Sequence, residues 1–181
     1  GKLNRRITMC AGTGCVANGA LKVRDALAEE MKKAGLDVTI ELNFEEETGF
    51  DGTYLSKSGC QGFCQMGPLM HIAPEGILYT KVKVADVPEI VKATLANGEV
   101  IDRLLYKSPA DGKSCRGEKE IPFYARQTRV VMSNCKVEPE NIGEYISCGG
   151  YEGAKKALTT MTAAEVCQNV LEAGIRGRGG G

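Results

Sequence analysis

An α/β fold is predicted by three features of this 181-residue sequence. Strand-like and helix-like apolar patterns alternate through the first half. Glycine and proline punctuate the joints between them. Four cysteines fall in loops that follow two of the predicted strands. Arg6-Ile7-Thr8-Met9 reads as a short strand ending at Cys10. Ala20, Val23, Leu27, Met31 and Ala34 then recur at steps of three and four, which is one apolar face of a helix. Asn18 is its expected N-cap, and Gly35 its stop. Val38, Ile40 and Leu42 alternate with Thr39, Glu41 and Asn43, as a half-buried strand does. Glu45-Glu46-Glu47, with Gly49 and Gly52 after it, reads as a solvated loop.

Thr53 to Lys57 is the next expected strand. A glycine-bearing loop from Cys60 to Cys64 and a tight turn at Gln65-Met66-Gly67-Pro68 follow. Leu69 to Ala73 and Ile77 to Val82 form a predicted hairpin about Pro74-Glu75-Gly76. Asp86 is the expected cap of a helix whose box Glu89 closes, with Pro88 in its first turn. Val87, Val91, Thr94 and Leu95 make its buried stripe, and Gly98 ends it. The first domain is therefore placed at residues 1–98.

Residues 99–123 have little apolar periodicity and read as an extended linker, with Ser108-Pro109-Ala110-Asp111-Gly112 at its middle. In residues 124–181, Arg129 to Met132 looks strand-like. A helix is expected from Pro139, containing Ile142, Tyr145 and Ile146 and ended by Gly149-Gly150. Glu152 to about Leu158 forms another, and Thr162 and Glu165 make a capping box ahead of the apolar stripe Val166, Cys167, Val170 and Leu171. The chain then runs Arg176-Gly177-Arg178-Gly179-Gly180-Gly181.

Composition removes several function classes. Lys plus Arg and Asp plus Glu both number 23, so the net charge is zero, which argues against nucleic acid as a partner. The one histidine, His71, leaves no room for a histidine-rich metal site, and a structural role is expected for it. No apolar run is long enough to span a membrane, and no signal peptide is seen. A reducing, cytoplasmic setting is expected, including the periphery of a membrane complex.

The chemistry concentrates in Cys10, Cys15, Cys60 and Cys64, which read C-x4-C and C-x3-C. Four thiolates in two pairs are soft, anionic ligands suited to an iron–sulfur centre. Structural zinc also takes four thiolates, although its pairs commonly have C-x2-C spacing. Disulfides and a redox dithiol are further alternatives, but the sequence has no C-x-x-C. Gly12, Gly14, Gly59 and Gly62 would let backbone amides approach the sulfurs. Cys115 is expected to be a free thiol, and Cys135, Cys148 and Cys167 buried or free ones.

This cysteine pattern, on a βαβ unit followed by a hairpin and a helix, resembles the thioredoxin-like [2Fe-2S] ferredoxins. The second half resembles the start of the flavin-bearing subunit of NADH dehydrogenases and NAD(P)-coupled hydrogenases, the 51-kDa complex I subunit family. That resemblance is carried by Pro122-Phe123-Tyr124-Ala125-Arg126-Gln127, Arg129 to Cys135, Pro139-Glu140-Asn141-Ile142, Gly149-Gly150-Tyr151-Glu152 and Ile175-Arg176-Gly177-Arg178-Gly179-Gly180. Lys136 departs from it, standing where many members have Gly.

The resemblance implies a [2Fe-2S] centre on Cys10, Cys15, Cys60 and Cys64, and the opening of an FMN phosphate loop at Gly177, Arg178, Gly179 and Gly180. Glycine N–H groups and one arginine suit an anionic phosphate. It also implies a longer parent subunit holding FMN, an NAD(P)H site and a [4Fe-4S] cluster, with other iron–sulfur subunits as partners. Electron transfer within a multisubunit NAD(P)-dependent oxidoreductase is the expected function, the parent being either an electron-bifurcating hydrogenase or a related dehydrogenase. A metal-bound docking module for subunit assembly is the alternative.

Overall fold

The computed structural model describes residues 3–40, 52–130 and 132–176. Two compact units divide the chain, Gly1–Ile142 and Gly143–Gly181.

The first unit is built on a five-stranded mixed sheet of order β2-β3-β1-β4-β5. Its strands are β1 (Leu3–Cys10), β2 (Val38–Thr39), β3 (Gly52–Ser58), β4 (Met70–Ala73) and β5 (Ile77–Tyr79). β1 pairs parallel with β3, Cys10 lying opposite Ser58, and antiparallel with β4. β4 and β5 form the expected hairpin. Helix α2 (Ala20–Lys33) buries Ala20, Val23, Leu27, Ala28 and Met31, the predicted stripe. These side chains join Ile7, Met9, Leu55 and Ile72 in one apolar core.

Helix boundaries differ where capping was read from side chains. Asn18 is the C-cap of a preceding short helix, α1 (Thr13–Ala17), and its amide reaches back to Gly14 O at 2.8 Å. Gly19, at φ 89°, opens α2 instead, a backbone turn that glycine adopts without strain. Asp86 does not cap with Glu89. Its carboxylate accepts from the Lys83 N–H at 2.8 Å, and both Asp86 and Glu89 are engaged by Arg103. The helix begins as α3 (Val87–Glu89) and continues as a π-helical stretch over Ile90–Ala96, with the expected Val87, Val91, Thr94 and Leu95 buried. Leu42 and the acidic run Glu45–Glu47 lie outside the described residues, and Gly52 belongs to β3 rather than to a loop.

Residues 99–123 are not an extended linker. Ile101, Leu104, Leu105, Cys115 and Ile121 are buried in the same core. Strands β6 (Tyr106–Lys107) and β7 (Ser114–Cys115) form a small hairpin. The Thr80 and Leu78 amides donate to the carbonyls of Leu104 and Arg116, each at 2.8 Å, so the outer edge of β5 is occupied. Isolated apolar residues fill gaps here without local periodicity, so no helix or strand pattern marks them.

The polar face of the sheet is covered as well. Arg6 Nε donates to Ser56 Oγ at 3.1 Å, Thr8 and Ser56 hydroxyls stand 3.1 Å apart, and Arg6 Nη2 donates to Lys136 O at 2.9 Å. Lys136 Nζ pairs with Glu118 at 2.5 Å and lies 3.4 Å from His71 Nε2. His71 is thus a structural residue in a polar layer. Helix α4 (Pro122–Ala125) closes the segment and carries the buried Tyr124.

Arg129 to Met132 is not a strand in its described part. Successive turns follow, with Ser133 N–H donating to Val130 O and Cys135 N–H to Met132 O. Strand propensity acts only where a neighbouring strand offers its edge, and Arg129 is instead drawn to Gln61 and Cys135.

The second unit holds helices. Helix α5 (Ile142–Ser147) straddles the division and starts three residues after Pro139. Gly149, at φ 83°, follows its end. Helix α6 (Glu152–Thr160) runs slightly past Leu158, and α7 (Ala163–Glu172) begins at the predicted box, Thr162 N–H donating to Glu165 at 2.7 Å. The stripe residues Val170 and Leu171 are exposed among the described residues. No helix among the described residues is long and apolar enough to cross a membrane.

Candidate metal centre

Parallel pairing of β1 and β3 sends both strands out of the same edge of the sheet, and the four predicted cysteines gather there. Cys10 ends β1. Its N–H donates to Leu69 O at 3.1 Å and the next amide, Ala11, to Ser58 O at 3.0 Å, so the strand end is fixed from both sides. Cys15 sits one turn into α1. Cys60 lies in the loop after β3, and Cys64 opens the 3-10 turn Cys64–Met66. Cys10 and Cys15 are buried, whereas Cys60 and Cys64 are exposed. The sulfurs form an inner and an outer pair, and the outer sulfurs are 4.0 Å apart.

The thiols interact as a group. Donation from Cys15, together with the amides of Gln61 and Gly12, lowers Cys10 to about 6 against the opposing cost of burial. Cys15 is pushed up by holding its proton toward Cys10, then by burial and the charges of Cys10 and Cys64. Cys64 is raised by its hydrogen bond and charge interaction with Cys60. A bound metal would displace the proton of any thiol that ligates it.

Space around the sulfurs is held open by glycine. A Cβ at Gly12 would stand 2.9 Å from Cys60 Cβ, one at Gly14 3.3 Å from Cys64 Cβ, and one at Gly67 2.5 Å from Cys15 Sγ. The Gly62 N–H donates to Cys60 Sγ at 3.4 Å, and Gly62 has φ 83°. Gly59 contributes differently, its carbonyl accepting from the Cys10 thiol at 3.7 Å. Gly67 was not singled out from sequence as a close neighbour of the sulfurs. Its place between Cys64 and Pro68 was the available signal.

An all-sulfur donor set with glycine-cleared space fits a soft metal centre. Among the described residues no three or more Cys, His, Asp or Glu side chains close on one ion position. Two pairs suit a binuclear centre, which takes two thiolates on each iron.

Aromatic side chains border the exposed loop. Phe63, between Cys60 and Cys64, stacks on Phe123 with ring centroids 4.8 Å apart, and meets Tyr124 edge-on at 5.3 Å and Tyr106 at 5.4 Å. Three of these four rings lie beyond the first expected domain. The remaining cysteines lie apart from the quartet's ligand pattern. Cys115 is buried, with its thiol 3.4 Å from Glu120 O. Cys135 accepts from Arg129, and Cys148 and Cys167 are exposed. Gly177, Arg178, Gly179 and Gly180 lie outside the described residues.

The family description "Thioredoxin-like [2Fe-2S] ferredoxin" matches residues 2–95. A 2Fe-2S ferredoxin of Clostridium pasteurianum is 30% identical over 90 residues, covering 50% of this chain and 76% of the ferredoxin. The NADP-reducing hydrogenase subunit HndC of Solidesulfovibrio fructosivorans is 50% identical over 56 residues, 30% of this chain and 11% of that subunit. One NADH-quinone oxidoreductase subunit, from Escherichia coli K12, is 49% identical over 43 residues, 24% of this chain and 10% of that subunit. The chain thus spans most of a ferredoxin and about a tenth of either oxidoreductase subunit.

Proposed function

Because the chain belongs to the thioredoxin-like [2Fe-2S] ferredoxin family, we propose that Cys10, Cys15, Cys60 and Cys64 hold one [2Fe-2S] centre through which single electrons pass. The observation that carries this reading is the convergence of two thiol pairs at one sheet edge, with glycines leaving room beside the sulfurs. The bound centre would supply reversible one-electron chemistry. The protein's own residues do the rest. Burial of Cys10 and Cys15 keeps water from the inner pair, the Gly62 amide donates to Cys60, and the exposed outer pair leaves a short path to an electron partner.

The reading extends to a longer parent. Residues 124–181 would open an FMN-binding part, in which Gly177, Arg178, Gly179 and Gly180 begin the flavin-phosphate loop. The parent would be the flavin subunit of a multisubunit NAD(P)-linked oxidoreductase, carrying an NAD(P)H site and a [4Fe-4S] cluster. Each two-electron oxidation of NAD(P)H would then feed two single-electron transfers toward other iron–sulfur subunits. The partial matches to hydrogenase and NADH dehydrogenase subunits support this class. Within the parent, Arg178→Ala is expected to weaken FMN retention and spare the [2Fe-2S] signal. Full FMN occupancy in that variant would remove Arg178 from the site.

Metal and sulfide analysis of anaerobically purified protein tests the central reading. Two irons and two acid-labile sulfides per chain are expected. Stoichiometric zinc without sulfide would overturn electron transfer in favour of a docking module.

A further inference from the structure

We infer that Arg129 is a positioning residue that raises the reduction potential of the centre by acting through one peptide group of the Cys60–Cys64 loop. This rests on the electron-transfer reading above. Arg129 Nη2 donates to the carbonyl oxygen of Gln61 at 3.1 Å. That carbonyl belongs to the same peptide group as the Gly62 N–H, which donates to Cys60 Sγ at 3.4 Å. Guanidinium, peptide group and ligand sulfur therefore form one hydrogen-bonded series. A cation at the carbonyl end draws electron density toward oxygen and makes the N–H a stronger donor. Hydrogen bonds to the sulfurs are among the terms that set the potential of an iron–sulfur centre. Donation and nearby positive charge both favour the reduced state, which carries one more negative charge.

The guanidinium is held at this point on three other sides. Nη1 donates to Cys135 Sγ at 3.2 Å and Nε to Gln127 Oε1 at 3.1 Å, and the group lies 4.8 Å from the centroid of the Tyr124 ring. Tyr124 in turn meets Phe63, inside the same loop. A planar fork can satisfy these directions together, and a lysine ammonium cannot. Gln61 is fully buried, and its side-chain Nε2 donates to Ser58 Oγ at 3.0 Å, so the peptide group that Arg129 contacts is itself anchored. Arg129, Gln127, Tyr124 and Cys135 all lie beyond residues 2–95, the stretch that matches the ferredoxin family. The tuning is thus supplied by the segment that covers the ferredoxin part.

The test compares the 181-residue protein with R129Q, R129K and R126Q by iron and sulfide content and by redox titration of the visible or electron-spin signal. Arg126 is an exposed cation near Arg129 in sequence and serves as the charge control. R129Q is expected to keep its iron and sulfide and to shift toward the oxidised form about tenfold in the one-electron equilibrium, a fall of about 59 mV. R129K, with charge but no fork, is expected to fall by less, and R126Q to stay at the wild-type value. Full iron content with unchanged potential in R129Q would overturn the inference, as would an equal shift in R126Q. If R129Q fails to hold the centre, R129K decides, since a wild-type potential there removes the peptide relay. Loss of the [2Fe-2S] signal from the wild-type protein would instead strike the proposed function itself.

Discussion

Gly67 stands so close to Cys15 that a Cβ at position 67 would fall 2.5 Å from the Cys15 sulfur. Gly67 has φ −73° and ψ 158°, a conformation open to any residue, so the requirement for glycine here is space alone. Gly67→Ala is expected to displace Cys15 and to cost roughly 1–3 kcal/mol as an overpacked site. Iron content should fall with it. Gly59→Ala is the control, because a Cβ there meets nothing within 4 Å. Equal iron and sulfide in both variants would show that the Cys15 sulfur has room to move.

The quartet separates from the other thiols by substitution. Cys60→Ala removes one of the outer pair and is expected to abolish the visible charge-transfer absorption of an iron–sulfur centre. Cys115→Ala alters a buried thiol in β7 that donates to Glu120 O, outside the loops that carry the quartet. It should keep the spectrum and cost about 1 kcal/mol of stability through the small cavity left behind. An unchanged spectrum in Cys60→Ala would sink the ligand assignment.

The covering segment gives a third expectation. Ending the chain at Gly98 would uncover the outer edge of β5, which Leu104 and Arg116 now occupy, and remove Ile101, Leu104, Leu105 and Ile121 from the core. Burying each such side chain contributes about 1.5–3 kcal/mol, so a chain of residues 1–98 should unfold at clearly lower denaturant than one of residues 1–142. It would also lose Phe123 and Tyr124 from beside Phe63. Coincident unfolding curves for the two lengths would mean that the segment merely rests on the ferredoxin part.

How legible each feature was in the sequence follows from how local its cause is. The stripe Ala20, Val23, Leu27 and Met31 and the turn at Pro74-Glu75-Gly76 follow from spacings of a few residues, and both appear as expected. The two cysteine pairs stand out in the sequence because each repeats a thiol at short range. Their meeting required only that β1 and β3 lie parallel and adjacent. The contact of Arg129 with Gln61 joins positions 68 residues apart and leaves no periodic trace. Ile101, Leu104 and Ile121 each fill a separate gap, so their burial has no period to announce it. The capping error at Asp86 has the same origin, since Arg103, from the following segment, competes for both carboxylates that a local reading assigned to the helix start.

His71 provides the pH prediction. It lies on β4 opposite Thr8, beneath Lys136, with Glu118 and Arg6 also facing it. Burial first, then the Lys136 and Arg6 charges, push its pKa down to about 4, with Glu118 opposing. In the unfolded chain the imidazole takes up its proton below about 6.5. Between those two values the unfolded state binds more protons than the folded state, so stability rises with pH across the window. The contribution is fully present above about 6.5 and is lost as pH falls through about 4. Its full size is of order 3 kcal/mol. Other acid-sensitive groups act on wild-type and variant alike, so the informative quantity is the difference between two curves. His71→Gln keeps a polar side chain in the layer without the titration, and it should flatten the stability profile between pH 4 and 6.5 relative to wild type. Denaturant unfolding measured across that range reads this directly. Parallel profiles for the two proteins would mean that His71 takes up its proton at the same pH in the folded and unfolded chain.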